Sequence, residues 1–138
     1  MIRRIFAATV LFLIATTTAQ AEPPTEAELA KLIVGKWTEE EVVNGLTIKD
    51  TTTYQRGGVK TVEAVATKEG VGFSLIISAS GKWKVSGSKL TEIIEKAEPP
   101  RAMHTGQETT DEILEINDTI CRYKTTKGDV RTMKRVAN

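Results

Sequence analysis

Hydrophobic and polar residues alternate along most of the chain after residue 34, which is the period-two pattern of β-strands. In residues 73–85 the odd positions are largely apolar and are expected to face the interior of a sheet: Phe73, Leu75, Ile77, Ala79, Trp83 and Val85. In residues 46–54, Leu46, Ile48, Thr52 and Tyr54 share a face, and threonines occupy the other. The pattern therefore predicts amphipathic strands.

Turn signals separate these strands about every ten residues, the spacing of an all-β sandwich or barrel. Asn44-Gly45 and Gly57-Gly58 are typical of two-residue hairpins, because these residues tolerate a positive φ. Sequential hairpins without helical crossovers predict antiparallel, up-and-down order. We expect a closed barrel of eight or nine strands, depending on whether the segments around Phe73 and Trp83 form one bent strand or two. An open β-sandwich is the alternative.

A short helix is predicted before the first strand, over residues 25–33. Thr25 and Glu28 have the spacing of a capping box, in which each side chain bonds to the backbone N–H of the other residue. Leu29, Leu32 and Ile33 form one apolar stripe at helical spacing. A helix this short needs to pack against the sheet, and we expect it to lie across an opening of the fold.

Residues 1–21 have the order of a secretory signal peptide: Arg3 and Arg4, an apolar run over residues 5–15, and a terminal Ala19-Gln20-Ala21. The apolar run is too short to span a bilayer core of about 30 Å. We therefore predict cleavage, a periplasmic or secreted protein, and no integral membrane insertion. The predicted organisation is a signal peptide at 1–21, a segment with the helix at 22–34, and one barrel domain at 35–138.

The predicted mature chain carries little net charge. Without Arg3 and Arg4 it has 17 basic and 18 acidic residues, a formal charge of −1, which would attract neither nucleic acid nor an anionic membrane. Cys121 is the only cysteine, so no intramolecular disulfide forms. Its parity with Tyr123 predicts a buried thiol.

Two Gly-Lys-Trp elements connect the chain with a known family. Gly35-Lys36-Trp37 opens the first predicted strand after the short helix, and residues 81–91 fit a Gly-x-Trp-x-Val-x-Gly-x-x-Leu pattern. The chain thereby resembles the lipocalins, and especially the small bacterial lipocalin-like (calycin-type) domains. It is shorter than a typical lipocalin and lacks the disulfide cysteines of that family.

For Gly35 and Trp37 the resemblance implies a structural role. The tryptophan would pack at the closed end of the barrel beneath an arginine of the last strand, for which Arg131 and Arg135 are the candidates. A cation–π contact there would contribute about 0.5 to 2 kcal/mol. The resemblance also implies a barrel that holds a small ligand, without indicating which one.

Candidate catalytic and metal-binding residues are sparse. His104, the only histidine, has Thr105 and Glu108 nearby, and we interpret it as a solvated loop residue in preference to a general base. One His and one distant Cys do not have the spacing of a zinc, iron or copper site, so neither metal nor cofactor is predicted. The acidic runs Glu39-Glu40-Glu41 and Asp111-Glu112 are interpreted as solvated strand faces.

The remaining functional hypothesis is a cavity inside the barrel. Tyr54, Phe73, Trp83 and Tyr123 would form its apolar wall, while Asp50 and Thr52 would orient a ligand. Core aromatics without a cavity are the alternative. We predict non-catalytic binding of a small, partly apolar or amphipathic ligand. The alternative function is a protein-interaction or inhibitor module that meets a cell-envelope partner through the outer surface and the loop at residues 99–107.

Overall fold

The computed structural model describes residues 22–137 as one short helix followed by eight β-strands. The signal peptide predicted at residues 1–21 lies outside the described residues. The elements, in chain order, are α1 Glu26–Ile33, β1 Gly35–Val43, β2 Leu46–Tyr54, β3 Val59–Lys68, β4 Phe73–Ser86, β5 Lys89–Glu98, β6 Glu108–Ile116, β7 Ile120–Lys124 and β8 Val130–Arg135.

The strands pair in sequence order and form a closed antiparallel barrel, which confirms the predicted fold. Closure is made by β1 and β8, where Trp37 pairs with Arg135 and Thr38 with Lys134. This pairing excludes the open sandwich. The segments around Phe73 and Trp83 belong to one strand of 14 residues, β4, so the number of strands is eight.

Helix α1 closes one end of the barrel. Its capping box is formed: Thr25 Oγ1 accepts from the Glu28 N–H at 3.2 Å, and Glu28 Oε2 accepts from the Thr25 N–H at 3.1 Å. Leu29 and Ile33 are buried in the main hydrophobic cluster. Glu26 accepts a hydrogen bond of 2.8 Å from the Gly87 N–H in the β4–β5 turn, which ties the helix to the rim.

Trp37 and Arg135 form the centre of this closed end. Trp37 is 1% exposed, and its indole N–H donates to the Ile33 carbonyl at 2.8 Å. The Arg135 guanidinium lies 4.1 Å from the centre of the Trp37 ring and donates to the carbonyls of Leu32 and Val34. Of the two candidate arginines, Arg135 makes this contact, and Arg131 lies elsewhere.

Gly35 and Gly81 are both required by close packing. A Cβ on Gly35 would lie 2.5 Å from Arg135 Nη1, and the φ of +136° disfavours other residues. A Cβ on Gly81 would lie 1.8 Å from the backbone oxygen of Ile93, at the point where the β4–β5 register shifts. Both glycines of the repeated Gly-Lys-Trp therefore allow a close approach, at different places in the barrel.

The hydrophobic core occupies the closed half of the barrel. Its buried cluster contains Leu29, Ile33, Trp37, Tyr54, Leu90, Ile113, Cys121 and Met133. The prediction of a buried Cys121 is confirmed, and burial raises the pKa of its thiol to about 12. No helix in residues 22–137 has the length and apolar character needed to cross a lipid bilayer.

Replacing Arg135 with Met tests the closed end. The variant leaves the Leu32 and Val34 carbonyls without their charged donor, and we expect the free energy of unfolding to fall by about 3 kcal/mol. Urea denaturation measures this change. The control is Arg122→Met, which breaks a half-exposed pair with Glu115 and is expected to cost less than about 1 kcal/mol. Equal losses in the two variants would contradict a special role for Arg135.

Candidate functional site

A chamber of about 250 Å³ lies inside the barrel above the hydrophobic cluster. Trp37, Leu90 and Met133 contribute its apolar floor, and charged or hydroxyl-bearing side chains form most of its walls. The wall residues are Thr38, Glu39, Asp50, Thr52, Tyr54, Lys60, Val62, Glu92, Ile94, Met103, Asp111, Tyr123 and Arg131. The interior is thus a polar chamber on an apolar base.

Strand register brings these side chains together. Directly opposed residues of an antiparallel pair share a face, so the pairing of Leu90 with Asp111 turns Asp111 inward beside a buried leucine. Asp50 likewise shares its face with Ala64, which is buried. The alternation of each strand turns every second residue towards the inside of the barrel, and those at chamber height line it.

Lys60 and Glu92 form a buried ion pair in one wall. The Lys60 side chain is 6% exposed, and its ammonium contacts Glu92 Oε2. The Tyr54 hydroxyl donates to the other carboxylate oxygen, Oε1. Because a buried charge without a partner is costly, the pair and its tyrosine hold one another in place. Burial and the adjacent Glu92 carboxylate raise the pKa of Tyr54, which keeps it a hydrogen-bond donor.

Arg131 organises a second group, at the seam between β8 and β1. Its Nε lies 2.9 Å from Glu39 Oε1, and its Nη2 lies 3.0 Å from Glu41 Oε2. The Tyr123 hydroxyl donates to Glu39 Oε2 at 2.7 Å. The described β1–β8 register contains only Trp37–Arg135 and Thr38–Lys134, so these side chains bridge the two strands beyond that point.

Asp50 and Asp111 differ from the other chamber acids. In the part of the chain that the structure describes, neither forms an ion pair or a side-chain hydrogen bond. Burial, followed by the nearby charge of Glu92, raises the pKa of Asp111 to about 6. Burial, followed by Glu41 and Glu39, also raises the pKa of Asp50. Both carboxylates therefore lie in an environment that disfavours their negative charge.

An apolar surface adjoins the chamber at the open end of the barrel. The inner faces of β1, β2 and β4 continue beyond the chamber and carry a set that we call the apolar lip: Val43, Leu46, Ile48, Phe73 and Leu75. Phe73 is 47% exposed, Val43 is 40% exposed and Leu75 is 39% exposed. Strands β7 and β8 are the shortest of the barrel, with five and six residues.

The loop at residues 99–107 connects β5 to β6 at the same open end. Met103 lies in the chamber lining and packs against the small buried cluster of Val62, Ala79 and Ala97. The Gly106 N–H donates to the Ile94 carbonyl at 2.8 Å, which holds the end of the loop beside β5. The loop is thus anchored at the chamber, while His104 is exposed as expected.

The six cavity candidates fall into two groups. Asp50, Thr52, Tyr54 and Tyr123 all line the chamber. Trp83 does not: it packs against the main buried cluster, with its ring 5.7 Å from that of Tyr54 in an edge-on arrangement. Phe73 does not line the chamber either, because β4 carries it past the chamber to the exposed lip. The predicted aromatic wall is therefore split among core, chamber and lip.

The interpretation of two acidic runs as solvated strand faces is wrong for Glu39 and Asp111, which line the chamber. Lys60 and Glu92 were also missed. A signal was present in the sequence, since Lys60 shares the parity of Val62 and Ala64, and Glu92 that of Leu90 and Ile94. A charge on an apolar strand parity indicates either a bulge or a polar interior.

Within residues 22–137, no three side chains among His, Cys, Asp and Glu are arranged to hold a metal ion. Comparison with protein-family models gave no match, and a search of curated proteins found no significant relative.

Replacing Asp111 with Asn tests the electrostatics of the chamber. Because the folded-state pKa of about 6 exceeds the ordinary aspartate pKa of 3.8, protonation favours the folded state, and the Asp111 charge destabilises it as pH rises through this window. The variant should be more stable than the wild type at pH 7, with the gain disappearing towards pH 4, as measured by urea denaturation across this range.

The matched control for this experiment is Glu112→Gln, which removes the neighbouring, exposed carboxylate. We expect it to change the free energy of unfolding by less than about 0.5 kcal/mol throughout the range. If the free energies of unfolding of Asp111→Asn and the wild type differ by the same amount at every pH, the raised pKa of Asp111 would be contradicted.

Proposed function

We propose that this protein binds a small amphipathic molecule inside its barrel and releases it chemically unchanged. The observation that carries the proposal is the continuity of a polar chamber with an apolar lip. The polar part of the ligand lies in the chamber, and its apolar part covers Phe73 and Leu75. Burial of apolar surface there stabilises the complex by about 25 cal/mol per Å².

The size of the chamber supports a ligand that reaches both regions. Ligand pockets usually enclose roughly 300–1,000 Å³, and this chamber of about 250 Å³ lies just below that range. A molecule of ordinary ligand size extends beyond the chamber, and the lip is the apolar surface next to it. The proposal thus keeps the expectation of a partly apolar ligand and adds a charged site for its polar end.

Membership of the lipocalin-like domains and export to the periplasm or medium are parts of the same proposal. The eight-stranded antiparallel barrel, the helix across its closed end and the Arg135–Trp37 contact agree with that resemblance. Residues 1–21 support export through their sequence pattern. An exported protein of this kind would carry or sequester a small molecule outside the cytoplasm.

The loop at residues 99–107 supports ligand binding more directly than it supports binding of an envelope protein. Met103 contacts the chamber, and the Gly106 N–H is bonded to β5. A loop held in this way contributes to the mouth of the barrel. The ligand therefore passes beside this loop and the lip as it enters.

Filling the chamber is the first test. Thr52→Trp places a large side chain in the chamber, whereas Thr53→Trp places it on the opposite face of β2. We expect the protein to bind Nile red, a neutral apolar dye, with Thr52→Trp weakening binding at least about tenfold and Thr53→Trp leaving it unchanged. Fluorescence titration measures affinity, and circular dichroism checks folding.

The binding proposal also has a test that needs no variant. Native mass spectrometry of the purified wild-type protein detects a co-purifying small molecule. Absence of such a molecule, together with no Nile red binding by the wild type, would overturn the proposal.

Substitution in the lip is the second test. Leu75→Ser removes an inner-face apolar side chain, and Ile76→Ser removes its neighbour on the outer face, which is 60% exposed. Because only Leu75 lies beside the chamber, we expect Nile red affinity to fall about three- to tenfold in the first variant alone. Equal effects of the two substitutions would contradict a role for the lip.

A further inference from the structure

The chamber contains more acidic than basic groups. Its lining includes four carboxylates, Glu39, Asp50, Glu92 and Asp111, and two cations, Lys60 and Arg131. Lys60 is paired with Glu92, and Arg131 with Glu39. Two aspartates thus remain without a cation inside the barrel.

In the described part of the chain, both cations have glutamate partners and form no ion pair with these aspartates. Lys60 is held in its wall by Glu92, and Arg131 is shared between Glu39 and Glu41. Tyr54 and Tyr123 already donate to Glu92 and Glu39, so their hydroxyl protons are committed as well. A ligand that enters the chamber therefore meets hydrogen-bond acceptors at Asp50 and Asp111.

We propose that the ligand is an alkylammonium-type amphiphile, whose ammonium group binds one of the two unpaired chamber carboxylates, Asp50 or Asp111, and whose apolar chain lies along the lip. This inference rests on the proposed function and specifies the chemistry of the ligand. An ammonium group offers three N–H donors and a positive charge, which suits a carboxylate that the barrel leaves unpaired. A fatty acid of the same length would add a further negative charge to the chamber.

The lip supplies a second and independent reason for this class of ligand. It lies on β1, β2 and β4, and β2 also carries Asp50 within the chamber. Ile48 and Leu46 follow Asp50 at alternate positions towards the open end, so charge and apolar surface lie on one face of one strand. A molecule with a cationic end and a linear apolar chain matches this order.

A comparison of three ligands tests the proposal. Octylamine, octan-1-ol and octanoate share one chain and differ in the charge of the end group. Isothermal titration calorimetry of the wild-type protein at pH 7 is expected to show octylamine binding at least about tenfold more tightly than octanol, and octanoate more weakly than octanol, because hydrogen bonds to charged groups are the stronger ones. Octanoate binding as tightly as octylamine would overturn the proposal.

The double variant Asp50→Asn, Asp111→Asn assigns the effect to the chamber. It removes both charges at nearly constant volume and is expected to abolish the preference for octylamine over octanol without weakening octanol binding. The matched control is Asp118→Asn, Asp129→Asn, which removes two exposed aspartates in turns and changes the net charge equally. The proposal would also be overturned if the chamber variant still preferred octylamine over octanol. The same holds if the control variant lost this preference to an equal extent.

The outcomes distinguish a failure of the cationic preference from a failure of the ligand-binding function proposed above. If Nile red binds but octylamine is no better than octanol, the barrel binds ligands and the cationic preference is wrong. If neither Nile red nor any of the three octyl compounds binds, the function proposed above fails, and the inference fails with it.

Discussion

The contact of Arg135 with Trp37 holds the closed end of this barrel together. One guanidinium near the C-terminus covers the indole of β1 and donates to two carbonyls at the end of α1. It therefore joins the last strand to the helix and the first strand. Arg135 and Val34 are separated by 101 positions in the chain. The buried cluster around Leu29, Ile33 and Trp37 forms beneath this contact, because closure removes those side chains from water.

Charged residues line the chamber above this packed end. Fixed strands hold Lys60 against Glu92 and Arg131 against Glu39, so that each buried cation has a carboxylate partner. The same walls hold Asp50 and Asp111 close to other negative charges, which together with burial raises the pKa of both. Replacing buried ion pairs by well-packed apolar side chains of similar volume is often neutral or stabilising, so these charges are weak evidence for stability.

The second property of the site is an exposed apolar surface beside the polar chamber. Strands β1 to β4 have between nine and 14 residues, whereas β7 and β8 have five and six. Phe73 and Leu75 lie on the inner face of β4, the longest strand, and remain exposed there, next to a chamber that is polar. The amphipathic character of the site thus follows from geometry and not from any single motif.

The sequence by itself determined the helix, the hairpins, the antiparallel order and the buried Cys121, because turn residues and the alternation of side chains act over short distances along the chain. It also identified Asp50, Thr52, Tyr54 and Tyr123 as inward-facing candidates. The tertiary structure decided that Trp83 belongs to the core, that Phe73 stays on the lip, and that Glu39, Lys60, Glu92 and Asp111 meet inside the barrel. The physical reason is that alternation assigns a residue to a face but not to a height along the barrel. Height depends on the register between strands, which is complete only when β1 and β8 close the sheet.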